Sequence, residues 1–256
     1  MDLSVNVAGT MFFGRLPPSG EGFIISPDGF EGWDDSVSTR GETVNRSQGD
    51  GDFDVPQFLD TRIVSLSGFA IANSPTRLDG FGAQLRGTLA RGLGRIDVEH
   101  MDLVKWANCR LAPGTQTKFK VSGANPTTAK FQIQLKMADP RIYGKYHQTA
   151  RGTSVTSRHA GNFPADMKVI VEGVASSYRL TGPFGRQYVV TQPLTAGKAH
   201  IIEFANGRLH IDSAVVFNAT TRAETWSCPP GQPVTTTIDQ VVGNATIQVE
   251  VIDTYI

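Results

Sequence analysis

Features that announce chemistry are scarce in this chain. Its 256 residues include two cysteines, Cys109 and Cys228. They lie far apart and form no Cys-x-x-Cys pair, which excludes the zinc-site and thioredoxin-type spacings. Two such thiols are expected to be reduced, in a chain that folds in a cytoplasm. No apolar run approaches the ~18 residues that a membrane-spanning helix needs, so no membrane insertion is expected. Met1-Asp2-Leu3-Ser4-Val5 has neither a basic n-region nor an apolar h-region, so no signal peptide is expected. If the protein ends up outside a cell, something other than secretion carries it there. Neither sign of charge dominates, with 24 basic and 24 acidic residues. A free nucleic-acid binder would normally carry a basic stripe and a basic balance.

Catalytic and metal motifs are missing as well. There is no Gly-x-Ser-x-Gly elbow, no His-Glu-x-x-His and no phosphate-binding loop, since Gly80-Phe-Gly82 lacks the lysine and the strand context. Histidines 100, 147, 159, 200 and 210 are scattered. Asp50-Gly-Asp-Phe-Asp54 invites a calcium loop, but the EF-hand positions that need glycine and glutamate hold Val55 and Thr61. The segment is instead a tight glycine turn with solvated acids. No catalytic residue, metal ligand or cofactor is assigned, and the chain is expected not to be an enzyme.

What is present is strand after strand. Glycine and proline are spread along the chain between short alternating runs, the pattern of many strands joined by turns. Lys130–Met137 alternates cleanly, with Phe131, Ile133, Leu135 and Met137 on one face and Lys130, Gln132, Gln134 and Lys136 on the other. Asp139-Pro140 ends it. Further strands are expected over Arg62–Ala72, Arg95–Glu99, Leu103–Leu111 and Thr117–Val121. One helix is expected at about 75–91. Ser74 caps it, Pro75 suits its first turn, and Leu78, Phe81, Leu85 and Leu89 form its stripe. Gly80, Gly82 and Gly87 weaken it by roughly 1 kcal/mol each, so it must lie on a sheet. Gly92 and Gly94 are its expected stop.

The second half reads as all-β. Arg141–Pro164 is polar and rich in turns, and is expected to be a linker with one irregular strand. Strands are then expected at Lys168–Val174, Gln187–Thr191, Ala199–Ala205, Arg208–Asp212, Ala214–Phe217, Thr225–Cys228, Thr235–Ile238 and Ala245–Ile252. Asn206-Gly207 is a strong turn signal. A two-residue loop there pairs Phe204 with Leu209 and Glu203 with His210. It places Ile202, Phe204, Leu209 and Ile211 on one face. The fold class is therefore mainly β with one helix. An α+β domain over 1–140 precedes an all-β sandwich over 141–256, with few contacts between them.

Two groups of residues are candidates for binding. Arg40, Arg46 and Arg62 flank the glycine-rich loop 41–57, which carries Asp50, Asp52 and Asp54. They serve either contacts to a neighbouring subunit, where arginine is enriched, or ordinary surface and intradomain pairs. Among the aromatics Trp33, Trp106, Trp226, Tyr178 and Tyr188, a sugar platform would use Tyr178, Tyr188 and Trp226. Core packing or subunit contact is the commoner use of such rings.

Several stretches, in order, carry a family resemblance. Arg46–Arg62 with its Gly-Asp-Gly turn leads into Ile63-Val-Ser-Leu-Ser-Gly-Phe-Ala-Ile-Ala72 and the helix. The Phe131–Met137 strand then runs into Asp139-Pro140-Arg-Ile-Tyr-Gly144. Together these resemble the N-terminal domain of bacteriophage distal tail proteins, often called minor tail proteins in siphophages. Ala160-Gly-Asn-Phe-Pro-Ala-Asp-Met-Lys-Val-Ile-Val-Glu-Gly173, the Asn206-Gly207 hairpin, Trp226-Ser-Cys-Pro-Pro-Gly231 and Val249–Tyr255 resemble the C-terminal galectin-like or jelly-roll-like sandwich of the same proteins. Asp166-Met167 departs from the family, which often has a proline there.

The resemblance implies a virion protein of the tail tip or baseplate, assembled in the host cytoplasm. It implies a cyclic homo-oligomer, usually a hexamer, that meets the tail tube protein and the tail-tip hub and tape-measure proteins. DNA would pass through the lumen only as a transient passenger. The long irregular stretch Phe13–Phe58 and the arginines beside its turn make the N-terminal half the expected ring-former. The rival is a carbohydrate-binding adhesin of the tail tip that recognises the host surface. A tail-associated hydrolase ranks last.

Overall fold

A computed structural model of the chain describes residues 3–240 and 243–256, with only the backbone of Gln240. Met1 and Asp2, part of the segment assessed above for a leader, lie outside the described residues. The fold is mainly β, with 51% of the described residues in strands and 6% helical. Two compact units form, Met1–Ile142 with Ile256, and Tyr143–Tyr255. No helix among the described residues is long and apolar enough to cross a membrane.

The first unit begins with β1 (Leu3–Val7), β2 (Thr10–Phe13) and β3 (Gly22–Glu31). An excursion carries four two-residue strands, β4 (Thr39–Arg40), β5 (Val44–Asn45), β6 (Asp52–Phe53) and β7 (Phe58–Leu59). Then come β8 (Arg62–Ile71), α1 (Pro75–Gly87), β9 (Gly94–His100), β10 (Leu103–Leu111), β11 (Lys118–Val121) and β12 (Thr128–Met137). Hydrogen bonding runs β12-β8-β3-β2-β1-β9-β10. It returns to β12 through Arg110↔Lys136 and Leu111↔Leu135, so the circuit of strands closes on itself. Closure removes free edges from that circuit. β11 is left outside it, hydrogen-bonded along the same side of β12. Alternation fills the interior with Val5, Val7, Phe12, Phe23, Leu66, Ile133 and Leu135. Phe12, Phe23, Phe81 and Phe131 meet there at centroid distances of 5.2–5.4 Å.

The helix starts as its sequence requires, with Ser74 accepting from the Arg77 amide at 3.2 Å. Leu78, Phe81 and Leu85 are buried beneath it. It ends earlier than expected. The Thr88 amide still reaches the Gln84 carbonyl, but the Thr88 hydroxyl is tied to the Thr10 hydroxyl at 2.7 Å, and Leu89 turns into the left-handed region at φ 56°. Gly82, weak as a helix former, allows the helix to approach Phe119, whose ring would lie 3.0 Å from an added Cβ. The larger correction is β3. The stretch Phe13–Phe58 is not irregular throughout, because Gly22–Glu31 is a ten-residue strand paired with β8. A register shift between Ile25 and Phe30, around Pro27-Asp28-Gly29, interrupts the alternation that would have revealed it.

The second unit is a sandwich. Its strands are β13 (Ile142–Gln148), β14 (Ser154–Ser157), β15 (Met167–Glu172), β16 (Tyr178–Thr181) and β17 (Gln187–Val190). They continue as β18 (His200–Glu203), β19 (Arg208–Ile211), β20 (Ala214–Val215), β21 (Thr220–Ala223), β22 (Val234–Gln240) and β23 (Thr246–Tyr255). One layer runs β13-β23-β15-β18-β19-β20 and the other β14-β22-β16-β17-β21. Val169, Val171, Leu180, Tyr188, Ile202, Ile247 and Val249 fill the space between them. The supposed linker 141–164 is therefore largely structured, with β13 and β14 both built from it.

In the hairpin, Phe204 and Leu209 are buried as the pattern requires. The register differs from the expected one by two residues, with Ile202 opposite Leu209 and Glu203 opposite Arg208. The shift preserves the faces because side chains alternate with period two. Phe204 gives its amide to the Met167 carbonyl at 2.9 Å, and only Gly207 of the Asn-Gly pair has positive φ, so the turn is not the two-residue type. Glu203 lies diagonal to His210, with a carboxylate oxygen 3.6 Å from Nε2.

Candidate functional site

The excursion between β3 and β8 is a hairpin arm. Thr39↔Leu59 and Arg40↔Phe58 pair near its base, and Val44↔Phe53 and Asn45↔Asp52 pair near its tip. The Arg46 amide donates to the Gly51 carbonyl at 3.2 Å and closes the Gly-rich turn. Residues 41–54 are exposed without a break. Phe53 and Phe58 stand 56% and 65% exposed, although a phenyl ring gains by leaving water. An isolated two-stranded hairpin is marginal in water. The arm has ladders but no core of its own, apart from the Arg46 guanidinium 5.7 Å from the Phe53 ring centroid. A cleft of about 600 Å³ opens between its two ladders, lined by Arg40, Gly41, Glu42, Val44, Val55, Pro56 and Phe58.

The root of the arm is held firmly. Arg62, at the start of β8, is 4% exposed. Its Nη1 donates to the carbonyls of Gly32, Trp33 and Asp35 at 2.8, 2.9 and 2.6 Å, and its Nε to that of Pro140 at 3.1 Å. Burial pushes the guanidinium pKa down, and Asp34 and Asp35 push it back up. Gly32 has φ 84°, and a Cβ there would lie 1.9 Å from the Ile63 carbonyl oxygen, so the chain leaves the sheet through a position only glycine fits.

The candidate residues separate accordingly. Arg40, Arg46, Asp50, Asp52 and Asp54 are all on the exposed arm, with no ion-pair partner among the described residues. Arg62 does not belong with them. It is an internal clamp whose donors are consumed within its own unit, and it has no surface to offer a neighbour.

The supposed sugar platform is also corrected. Tyr178, Tyr188 and Trp226 are 2%, 0% and 5% exposed, inside the core of the second unit. Tyr178 shares a hydrogen bond of 3.0 Å with His200 Nδ1, and the Tyr188 hydroxyl donates to the Gly207 carbonyl at 2.8 Å. Trp226 meets Phe204 edge-on at 4.6 Å. Burial raises both tyrosine pKa values, Tyr188 to about 12. Three rings packed inward cannot present a flat face to a saccharide. Both cysteines are free and buried, and burial raises Cys109 to about 12, which keeps it a neutral thiol.

No family model matches the chain, and no curated protein matches it. Among solved structures, one neighbour is the Dit protein of phage SPP1, described as a paradigm of the hub adsorption apparatus in phages infecting Gram-positive bacteria. It superposes with a TM-score of 0.76 at 12% identity over 100% of both chains. Two structures of the phage P2 baseplate in its activated conformation, with Ca and with Sr, overlap at TM-scores of 0.47 and 0.41. Their identities are 8% and 9%, over 97% of each chain. Those two overlaps are too loose to carry weight. The first establishes that this chain has the fold of the SPP1 Dit protein from end to end.

Proposed function

We propose that this chain is a structural virion protein of a long non-contractile phage tail, a distal tail protein at the tail tip. It forms a closed ring, a homohexamer, that joins the tail tube to the hub or baseplate and leaves a lumen for the genome. Its partners are itself, the tail tube protein, and the tail-tip hub and tape-measure proteins, with DNA as a transient passenger. The observation that supports this is the match of the whole chain to the whole SPP1 Dit protein. The order of the resembling sequence stretches supports it independently.

The first unit is the ring-former. Closed cyclic symmetry needs one patch meeting a different patch on the next subunit, and the unburied arm supplies such a patch. The proposed role is structural rather than catalytic, and both thiols, the residues best suited to nucleophilic chemistry, are buried. The adhesin alternative loses its platform, since its three rings belong to a core.

Native mass spectrometry and negative-stain imaging of the full chain test this. A closed ring with an open centre is expected. A protein that stays monomeric up to high concentration and releases sugar from cell walls would overturn it.

A further inference from the structure

In the first unit β8, β10, β11 and β12 are basic strands without an acidic residue. They are paired with one another, and their outer face gathers cations. Lys120 stands directly opposite Lys130, and Arg110 directly opposite Lys136. Lys118 is opposite Gln132, on the same face. None of these five has an ion-pair partner among the described residues. Like charges placed directly across a ladder destabilise the sheet, and here two such pairs share one face, six residues apart along β12, with no acid paired to either. On the β8 side of β12 the same face exposes two apolar side chains, Phe69 opposite Lys130, whose ammonium lies 5.9 Å from the ring centroid, and Ile63 opposite Lys136, each 44% exposed. The nearest acid by register is Glu31, opposite Ser65.

The arm has the complementary composition. Around its tip, residues 46–54 hold Asp50, Asp52 and Asp54 against a single arginine, and Phe53 projects among them. From Thr39 to the tip it reaches up to about 25 Å at the rise of an extended strand. Acids with exposed phenyl rings on one element, and cations with exposed phenyl and isoleucine side chains on another, make two unlike patches that fit each other.

We infer that the arm of one copy docks on the basic face of β10, β11, β12 and β8 of the next copy. This rests on the self-associating ring proposed above and names the two surfaces that meet. The contact is heterologous, so it propagates around a ring. Ion pairs at a wet surface add little affinity and chiefly fix partner and orientation, while burial of Phe53 beside Phe69 supplies attraction. Lysines on an edge strand such as β11 also guard against edge-to-edge aggregation. That role alone would leave assembly indifferent to the charge on the arm.

The test is a charge swap in the full chain, read by sedimentation equilibrium. D50K/D52K/D54K and K120E/K130E are each expected to weaken self-association at least tenfold. Both sets combined in one chain are expected to restore it to within about threefold of wild type. All variants change exposed positions, and circular dichroism checks that they fold. As a second measurement, chains carrying Asp52→Cys are mixed with chains carrying Lys130→Cys under oxidised glutathione, and a disulfide-linked pair of the two chains is expected. An oligomer indifferent to both reversals, or a combined variant no better than either, overturns the docking and leaves the ring reading standing. So does K120E/K130E that loses a labelled duplex oligonucleotide yet assembles normally, because the face then serves a polyanion. A wild-type chain that is monomeric at every concentration overturns the ring and the docking together.

Discussion

Both units bury a cluster of aromatic rings, and they differ in where the exposed rings sit. In the second unit Tyr178, Tyr188, Phe204 and Trp226 all turn inward, each ring packed or hydrogen-bonded within the sandwich. In the first unit the inner cluster of phenylalanines is matched by an outward set, Phe53 and Phe58 on the arm and Phe69 on the sheet. Both units have a complete core, so the difference is not one of folding. A domain that has satisfied its core and still exposes large rings beside unpaired charge has surface reserved for something else. In the second unit the rings that fill the sandwich have been put into stability, and the exposed ones, Phe184, Phe217 and Tyr146, lie apart from them. Its two strongly exposed phenylalanines sit on separate turns, Phe184 at φ 58° in a tight 3₁₀ turn and Phe217 after β20.

Cutting the chain after Pro140 should break this comparison open with the largest effect. Residues 1–140 alone are expected to assemble to a multiple of their own mass, and residues 141–256 to remain monomeric, by light scattering. Assembly by the second fragment only, or by neither, would move the interface away from the arm. Next in size is the clamp at the arm's root. Arg62→Met leaves buried carbonyls without donors, and removing one member of such a buried charged network costs about 3–5 kcal/mol. Urea unfolding of the first unit should show that loss, while unfolding of the second stays unchanged.

The sealed core of the second unit predicts a smaller, local effect. A Cβ at Gly182 would lie 2.3 Å from the Trp226 ring. Gly182→Ala should therefore destabilise that unit by about 1–3 kcal/mol through overpacking, read as a lower melting temperature. If Trp226 were a surface platform, the substitution would leave stability untouched.

The smallest effect is a pH dependence. His200 is 1% exposed, and burial lowers its pKa below the ordinary 6.5, partly offset by a hydrogen bond to the Pro193 backbone. The unfolded chain then binds the proton more readily than the folded one. The contribution is fully present above pH 6.5 and is lost as pH falls through the lowered folded value. Melting curves from pH 7 to 5 should show the second unit losing stability toward acid, with a shallower slope in His200→Gln.

Much of the fold was legible in local pattern. Lys130–Met137 alternates because one face meets a core and the other water, and the helix signalled its start through Ser74-Pro75. β3 was missed because its register shift falls at Pro27-Asp28-Gly29, so no window shows clean period two. β1 and β2 are short, and only their neighbours make them strands. In the candidate site, Arg40, Arg46 and the three aspartates were marked by the glycine-rich stretch that exposes them. Arg62 was misplaced because an arginine beside such a stretch looks the same in sequence whether it reaches outward or plugs a buried corner.

By itself, then, the sequence determined the class of the fold, the position of its helix, the inward face of its longest strands and the polar, glycine-marked arm. Each of these follows from alternation, capping or turn chemistry over a few neighbouring residues. Only the tertiary structure decided that the first unit's strands close into a circuit, that Lys120 faces Lys130 and Arg110 faces Lys136, and that the three rings of the supposed platform are core. Those facts depend on which strand lies beside which. Pairing joins residues far apart in the chain, and local propensity carries no information about partners at that distance.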